Sequence, residues 1–243
     1  MDIASALLEA GANVHKKLEG SLPLHVAVQV ASLEYVRSTR PAFGVEMIRV
    51  LVWHGCVVAD RDDHGRTPLH WAASLGLEAE CVELVAQGRA FVEAERVRVE
   101  AALAARGNPF DVDGGGGGGG GDGDEVPSLW DFQDKQGNLA AHLAARYGYA
   151  GVLRLLVELA PGCVSEKNKS GLTVAHMASL KVGNAACVEV LREVCGGEVV
   201  DGLRNRQGLS VEGLGVKRAG GEETETGRVP TRAPCTTTGC TMG

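Results

Sequence analysis

The most informative stretch of this sequence is short: TPLHWAA, at residues 67–73. Thr67 is a residue type that caps helix N-termini, and Pro68 suits the first helical position because its missing N–H needs no partner there. His70 lies at the third helical position, from which its side chain can reach back to the cap. The two alanines that follow leave a thin flank for a second helix. The run therefore predicts a helix start with a flat apolar side.

The same pattern recurs along the chain, with a glycine five residues before a histidine in each clear copy. The copies are Gly20 with His25, Gly65 with His70, Gly137 with His142 and Gly171 with His176, and Gly208 begins a weak fifth copy. The last two intervals between glycines are close to the period of about 33 residues known for some helical repeats. The first two intervals are longer, as insertions would make them.

A second element follows the first at a constant phase. It consists of an apolar residue, two intervening residues and a pair of apolar residues, as in Ile48, Leu51 and Val52. After two more residues a glycine usually follows, as at Gly55. This spacing is one face of an amphipathic helix, and the glycine is expected to end that helix in a left-handed conformation. Stretches rich in Asp, Asn and Gly, such as 60–65, then predict polar turns between units.

Helix, short turn, helix and polar hairpin at this period resemble the ankyrin repeat, and the TPLHWAA run makes the match specific. The resemblance covers roughly 1–95 and 130–210. It implies an all-α solenoid in which each unit hides its neighbour's apolar face, joined by β-hairpin-like loops. An aliphatic core is expected, because the chain has 44% hydrophobic but only 4% aromatic residues.

The repeat register also predicts where the units begin and end. Polyglycine at 114–121 loses much backbone entropy on ordering and buries no side chain, so we expect it to be disordered. Whether this insertion splits the array into two stacks stays open at this point. The predicted segments are a partial repeat (1–19), repeats at 20–64 (with a loop insertion), 65–95, 137–170 and 171–207, a degenerate helix with an acidic poly-Gly linker (96–127), a hairpin re-entry (128–136), a decayed repeat (208–216) and a disordered tail (217–243).

Composition excludes several function classes. The net charge of −7 argues against a general nucleic-acid binder, and the sequence has neither an apolar run of membrane-spanning length nor a secretory signal. Seven cysteines without a CxxC pair fit a reducing compartment, so an intracellular location, cytoplasmic or nuclear, is expected. Cys81 and Cys187 occupy the slot of Ile48 and should behave as small apolar residues.

The repeated histidines invite two interpretations, metal ligation or a structural role. One histidine per repeat cannot converge on a single ion, and in ankyrin repeats this histidine hydrogen-bonds backbone within and between units, so the structural role is favoured. A Cys/His metal sensor is the weakest hypothesis. No nucleophile with a base and an orienting group emerges, so we expect no enzyme, no cofactor and no bound metal.

The resemblance instead implies a monomeric protein-binding module or scaffold, with another protein lying in a concave groove of hairpin tips and inner helices. The alternative is a fragment of a larger ankyrin-containing enzyme, channel or ubiquitin-ligase adaptor, since the first unit lacks its first helix. Exposed Trp71 and Tyr147 would suit binding, but both could equally pack between inner helices. The predicted partner-binding residues are Asp62, Asp63, His64, Arg66, Trp71, Ser74, Asp134, Lys135, Asn138, Leu143, Arg146, Tyr147, Asn168, Lys169 and Met177.

Overall fold

The computed structural model describes residues 3–105, 131–181 and 183–211. Within these ranges the chain is helical, with one isolated bridge between Leu18 and Ser21 and no strand, which confirms the all-α prediction. The predicted disordered insertion and tail lie outside the described residues. The helices are α1 (Ile3–Glu9), α2 (Pro23–Ala31), α3 (Glu34–Thr39), α4 (Phe43–Trp53), α5 (Pro68–Leu75), α6 (Glu78–Ala105), α7 (Ala140–Tyr147), α8 (Ala150–Leu159), α9 (Val174–Ser179), α10 (Ala185–Cys195) and α11 (Gly197–Gly202), with a 3₁₀ turn at Pro161–Val164.

The helices form two layers. The inner layer is α2, α5, α7 and α9, each packed on the next, and the outer layer is α4, α6, α8 and α10 in the same order. Each inner helix begins directly after an extended residue, as at Thr67, and α2 and α5 have proline in their first turn. The repeated sequence pattern therefore sets where every inner helix starts.

The core between the layers is aliphatic and closely spaced. Leu69 of the inner layer and Ile48 and Leu84 of the outer layer are completely buried. Ala72 and Ala73 are also completely buried, as the flat flank of the TPLHWAA run predicted. Cys81 and Cys187 are buried with them, which confirms their role as small apolar residues. Burial raises the pKa of both thiols.

The stack is continuous across residues 106–130. α7 packs directly on α5, although these helices are separated by that stretch of sequence. The backbone N–H of Lys135 donates to the carbonyl of His64 over 3.0 Å, which aligns the loops on either side. One solenoid therefore includes the described units before and after 106–130.

Two local predictions are wrong. Gly88, the glycine that follows the apolar pair Leu84 and Val85 of the second element, does not end a helix, because α6 continues through it to Ala105 and Gly88 is buried inside that helix. The residues that follow are mostly Ala, Glu, Arg and Val, and the strong helix formers among them favour continuation. The loop insertion expected in the repeat at 20–64 includes the helix α3, in which the hydroxyls of Ser38 and Thr39 donate to the Tyr35 carbonyl.

α11 was not expected; it contributes Val200 to the core next to α10.

In the part of the chain that the structure describes, no helix is both long enough and apolar enough to cross a membrane. α6 has the length, but its sequence is rich in Glu and Arg.

Candidate functional site: a concave groove

The loops that edge the inner layer are closed by acidic or amide side chains. Asp62 Oδ1 accepts hydrogen bonds from the backbone N–H groups of His64 and Arg66, each over 2.8 Å. Asp134 Oδ1 does the same for Gln136 and Asn138. These are the local bonds for which Asp and Asn are favoured in turns, so the polar stretches of the sequence fold into copies of one loop.

Successive loops are joined in series by one backbone hydrogen bond each. In each case a residue of one loop donates its N–H to a carbonyl of the loop before it, over 3.0–3.1 Å. The donor and acceptor pairs are Asp63 to Gly20, Lys135 to His64, Lys169 to Gln136 and Arg206 to Gly171. The loops therefore form one continuous edge, and their exposed tips have fixed spacing.

The buried histidines lock each inner helix to the following loop. Nε2 of His70 lies 3.0 Å from the Asn138 carbonyl, while its Nδ1 accepts from the Thr67 backbone N–H. Because a carbonyl can only accept, Nε2 carries the proton and Nδ1 is free to accept. His25, His142 and His176 make the equivalent Nε2 contacts to Arg66, Leu172 and Leu209. This confirms the structural role predicted for the four histidines.

Burial also keeps these rings neutral. Desolvation lowers the pKa of His25, His70 and His176, and it lowers the pKa of His142 to about 4. Each ring points to its own carbonyl, and the described residues contain no group of three or more His, Cys, Asp or Glu that could hold a metal ion. The metal-sensor hypothesis has no site in this part of the chain.

The loops and inner helices enclose a groove of three adjoining clefts. The first cleft, about 410 Å³, lies between Gly20 and Trp71; the second, about 460 Å³, between His64 and Tyr147; the third, about 750 Å³, between Lys135 and Lys181. Neighbouring clefts share lining residues. All the predicted partner-binding residues line these clefts. Asp62 and Asp63 line the first cleft only, and His64, Arg66 and Trp71 line both the first and the second. Ser74, Asp134 and Leu143 line the second cleft only, Lys135, Arg146 and Tyr147 line both the second and the third, and Asn138, Asn168, Lys169 and Met177 line the third only.

Five of these side chains are buried although they line the clefts. Asp62, Asn138 and Asn168 turn inward because their side chains satisfy loop hydrogen bonds, and Leu143 and Met177 are buried residues of the inner helices α7 and α9. For Asp62, burial favours the neutral form, but hydrogen bonds from the Arg66 backbone and Trp71 outweigh it, so its pKa is lowered. These residues shape the groove and expose little surface to a partner.

Trp71 and Tyr147 differ in their surroundings. The indole N–H of Trp71 donates to Asp62 Oδ2 over 3.0 Å, and the guanidinium of Arg66 lies 4.0 Å from the ring centroid. Trp71 is therefore partly buried and braces the loop. Tyr147, by contrast, is 48% exposed at the boundary of the second and third clefts. Tyr147 is the aromatic residue better placed to contact a partner.

The first cleft includes residues that the site prediction omitted. Glu19, Val26 and Gln29 line it together with the predicted loop residues. Val26 follows His25 as Trp71 follows His70, so the repeat register was a signal that could have found it. Gln29 likewise corresponds to Ser74.

Comparison with known proteins decides the family. A family model described as ankyrin repeat matches residues 64–95, which include the His64 loop, α5 and about the first two thirds of α6. The chain is an ankyrin-repeat protein. The family indicates a module for protein–protein interaction.

One similar protein is the NF-kappa-B inhibitor cactus of Drosophila yakuba. It is 28% identical to this chain over 132 residues, which are 54% of this chain and 25% of cactus. The match therefore spans about a quarter of the length of that relative.

Proposed function

We propose that this protein is a non-enzymatic module that binds a partner protein in the concave groove. The observation that carries the proposal is the continuity of the three clefts along the loops and inner helices, from Gly20 to Lys181. Stacked repeats use extended concave surfaces of this kind for binding. The similar cactus protein is named for inhibiting NF-kappa-B, which accords with a protein partner.

The central part of the groove has the residue types that dominate binding energies. Tyr147 and Arg146 are both exposed and line both the second and third clefts. Tyr and Arg are enriched among interface residues whose truncation costs more than 2 kcal/mol. A partner that spans the groove is expected to contact both side chains.

The proposal is tested with peptides selected from a random display library on the full chain. Selected peptides should lose at least tenfold in affinity for the double variant Arg146→Ala and Tyr147→Ala. The matched control, Arg154→Ala with Trp53→Ala, removes the same residue classes from the outer layer. Arg154 is half-buried in a surface pair with Glu193, and Trp53 is 87% exposed, so this variant should fold normally.

Circular dichroism would verify that both variants keep the helical content of the parent chain. Retained affinity for the Arg146→Ala and Tyr147→Ala variant, or an equal loss in the outer-layer control, would contradict a binding site in the groove.

A further inference from the structure

The charges in the groove are separated along its length. The third cleft is lined by Lys135, Arg146, Lys169 and Lys181 and by no Asp or Glu. The first cleft instead contains Glu19, Asp62 and Asp63, with Arg66 as its cation. A cleft lined by four cations is notable in a chain whose net charge is −7. The field in the third cleft favours anions, and the opposite end of the groove does not.

The four cations in the third cleft remain available to a ligand. All four side chains are exposed, and none forms an ion pair with another described residue at 4.0 Å or less. The Lys169 ammonium donates to the Lys135 carbonyl over 2.7 Å, which holds it at the cleft and leaves two of its three donors free. A carboxylate entering here would therefore gain partners and displace none.

The remaining lining is apolar or neutral. Leu172, Leu180 and Met177 line the third cleft beside Tyr147. An extended peptide presents alternate side chains to the same face, so one face can carry carboxylates toward the cations while other groups contact the apolar lining. The cleft thus has chemistry for both the charged and the uncharged parts of a peptide.

We infer that the third cleft recognises an acidic, extended peptide segment of the partner. This inference rests on the proposed function, because it names the chemistry of the ligand that the groove would bind. A nucleic acid fits less well, since its uniform negative charge would meet Asp134 in the second cleft and Glu19 in the first. A peptide can be acidic over the third cleft and neutral or basic over the other two.

The test uses fluorescence anisotropy on the full chain. The probe is a short fluorescein-labelled peptide of alternating Glu and Ser, and its counterpart with Gln in place of Glu is the control peptide. The Glu peptide should bind and the Gln peptide should not. Added salt should weaken the binding, because exposed charge pairs are screened.

Matched variants locate the probe. Arg146→Gln with Lys181→Gln removes two cations of the third cleft, for which no side-chain hydrogen bond within the described residues is lost. This double variant should weaken binding of the Glu peptide about tenfold, as the loss of two exposed ion pairs predicts. Lys16→Gln with Lys167→Gln removes two exposed lysines that do not line the cleft, and it should change the affinity less than twofold.

An equal loss of affinity in both double variants would overturn the inference, since it would show attraction to net charge alone. Displacement of the probe by a thymidine oligonucleotide as readily as by unlabelled peptide would also overturn it. If the Glu peptide fails to bind while library-selected peptides still depend on Arg146 and Tyr147, the acidic ligand is wrong and the groove proposal stands. If the affinity of the selected peptides is also unchanged when Arg146 and Tyr147 are replaced, both proposals fail.

Discussion

Two junctions between repeats can be compared directly, because the same bonds form across very different lengths of chain. One joins His70 to the Asn138 carbonyl, past residues 106–130; the other joins His142 to the Leu172 carbonyl with no comparable interruption. The Nε2-to-oxygen distances are 3.0 and 3.3 Å, and each junction also has one loop-to-loop backbone bond of 3.0 Å. In these two bonds the interrupted junction matches the continuous one, which has further side-chain bonds from Asn168 to Asn138 and from Lys169 to the Lys135 carbonyl.

One difference between the junctions lies at the residue that begins the inner helix. The Thr67 hydroxyl is 2.9 Å from Nδ1 of His70, whereas Leu139 offers His142 only its backbone N–H at 3.2 Å. The same histidine and loop bonds therefore form whatever the sequence separation, and we expect the residue at the start of the inner helix to adjust the stability of each junction. Four predictions test this, in order of decreasing effect.

Replacing either junction histidine should have the largest effect. His70→Ala and His142→Ala each remove a buried ring and its hydrogen bonds, so each should lower the free energy of unfolding by about 3 kcal/mol. His70→Ala should cost more, because it also orphans the Thr67 hydroxyl. Urea unfolding followed by circular dichroism measures both. A cost below 1 kcal/mol for His70→Ala would mean that the interrupted junction contributes little.

Replacing the loop glycines at the two junctions with alanine should have the second largest effect on the free energy of unfolding. Gly65 and Gly137 have φ of 75° and 76°, and a Cβ there would lie 3.2 and 2.9 Å from the backbone nitrogens of Lys135 and Lys169. Alanine at either site should cost about 2 kcal/mol, from left-handed strain and crowding of the next loop. Gly208, with φ of 74° and nothing within 4 Å, is the control and should cost about 1 kcal/mol. Equal costs at all three glycines would refute the crowding argument.

Acid should weaken both junctions. The folded-state pKa of His142 is lowered by burial to about 4, below the ordinary value of 6.5, so the unfolded chain binds protons first as the pH falls. The stabilisation that depends on a neutral His142 is therefore present above pH 6.5 and is lost as the pH falls toward 4. His142 alone should lower the free energy of unfolding by roughly 1.5 kcal/mol between pH 6.5 and 5.

The pH effect is measured as the urea midpoint at several pH values in that window. His142→Gln should flatten the slope, and the remaining slope should come from the other buried histidines, whose pKa values are lowered in the same direction. A slope unchanged by His142→Gln would contradict this assignment.

Removing the hydroxyl that distinguishes the two junctions should have the smallest effect. Thr67→Val keeps the shape of the side chain and deletes its bond to His70, so it should cost about 1 kcal/mol in the free energy of unfolding. Thr173→Val should cost about the same, since the Thr173 hydroxyl is 2.7 Å from Nδ1 of His176. Leu139→Val deletes no hydrogen bond and serves as the apolar control. A greater fall in the free energy of unfolding for Leu139→Val than for Thr67→Val would contradict the stabilising role of the Thr67 hydroxyl.

The repeat register predicted the parts of the molecule that depend on short-range chemistry. The starts of the inner helices, the inward histidines and most of the lining of the second and third clefts follow from positions counted from the repeated glycines. The same counting could not predict which groove residues stay buried. Asp62 and Asn168 are polar and lie in loops, yet each is drawn inward by the backbone N–H groups of its own loop.

The wrong helix boundaries have a related cause. A glycine such as Gly88 ends a helix only where the next residues leave the helical path, and here strong helix formers continue it. α3 has no buried residue, so no apolar periodicity could have marked it in the sequence.

The bracing of Trp71 makes it an internal spectroscopic reporter. Its indole ring lies at the boundary of the first and second clefts, with its N–H on the Asp62 carboxylate and its face against the Arg66 guanidinium. In a chain whose other two tryptophans, Trp53 and Trp130, are replaced by phenylalanine, emission would come from this ring alone. Occupation of the groove would then be read as a change in emission wavelength or quenching, without any attached dye.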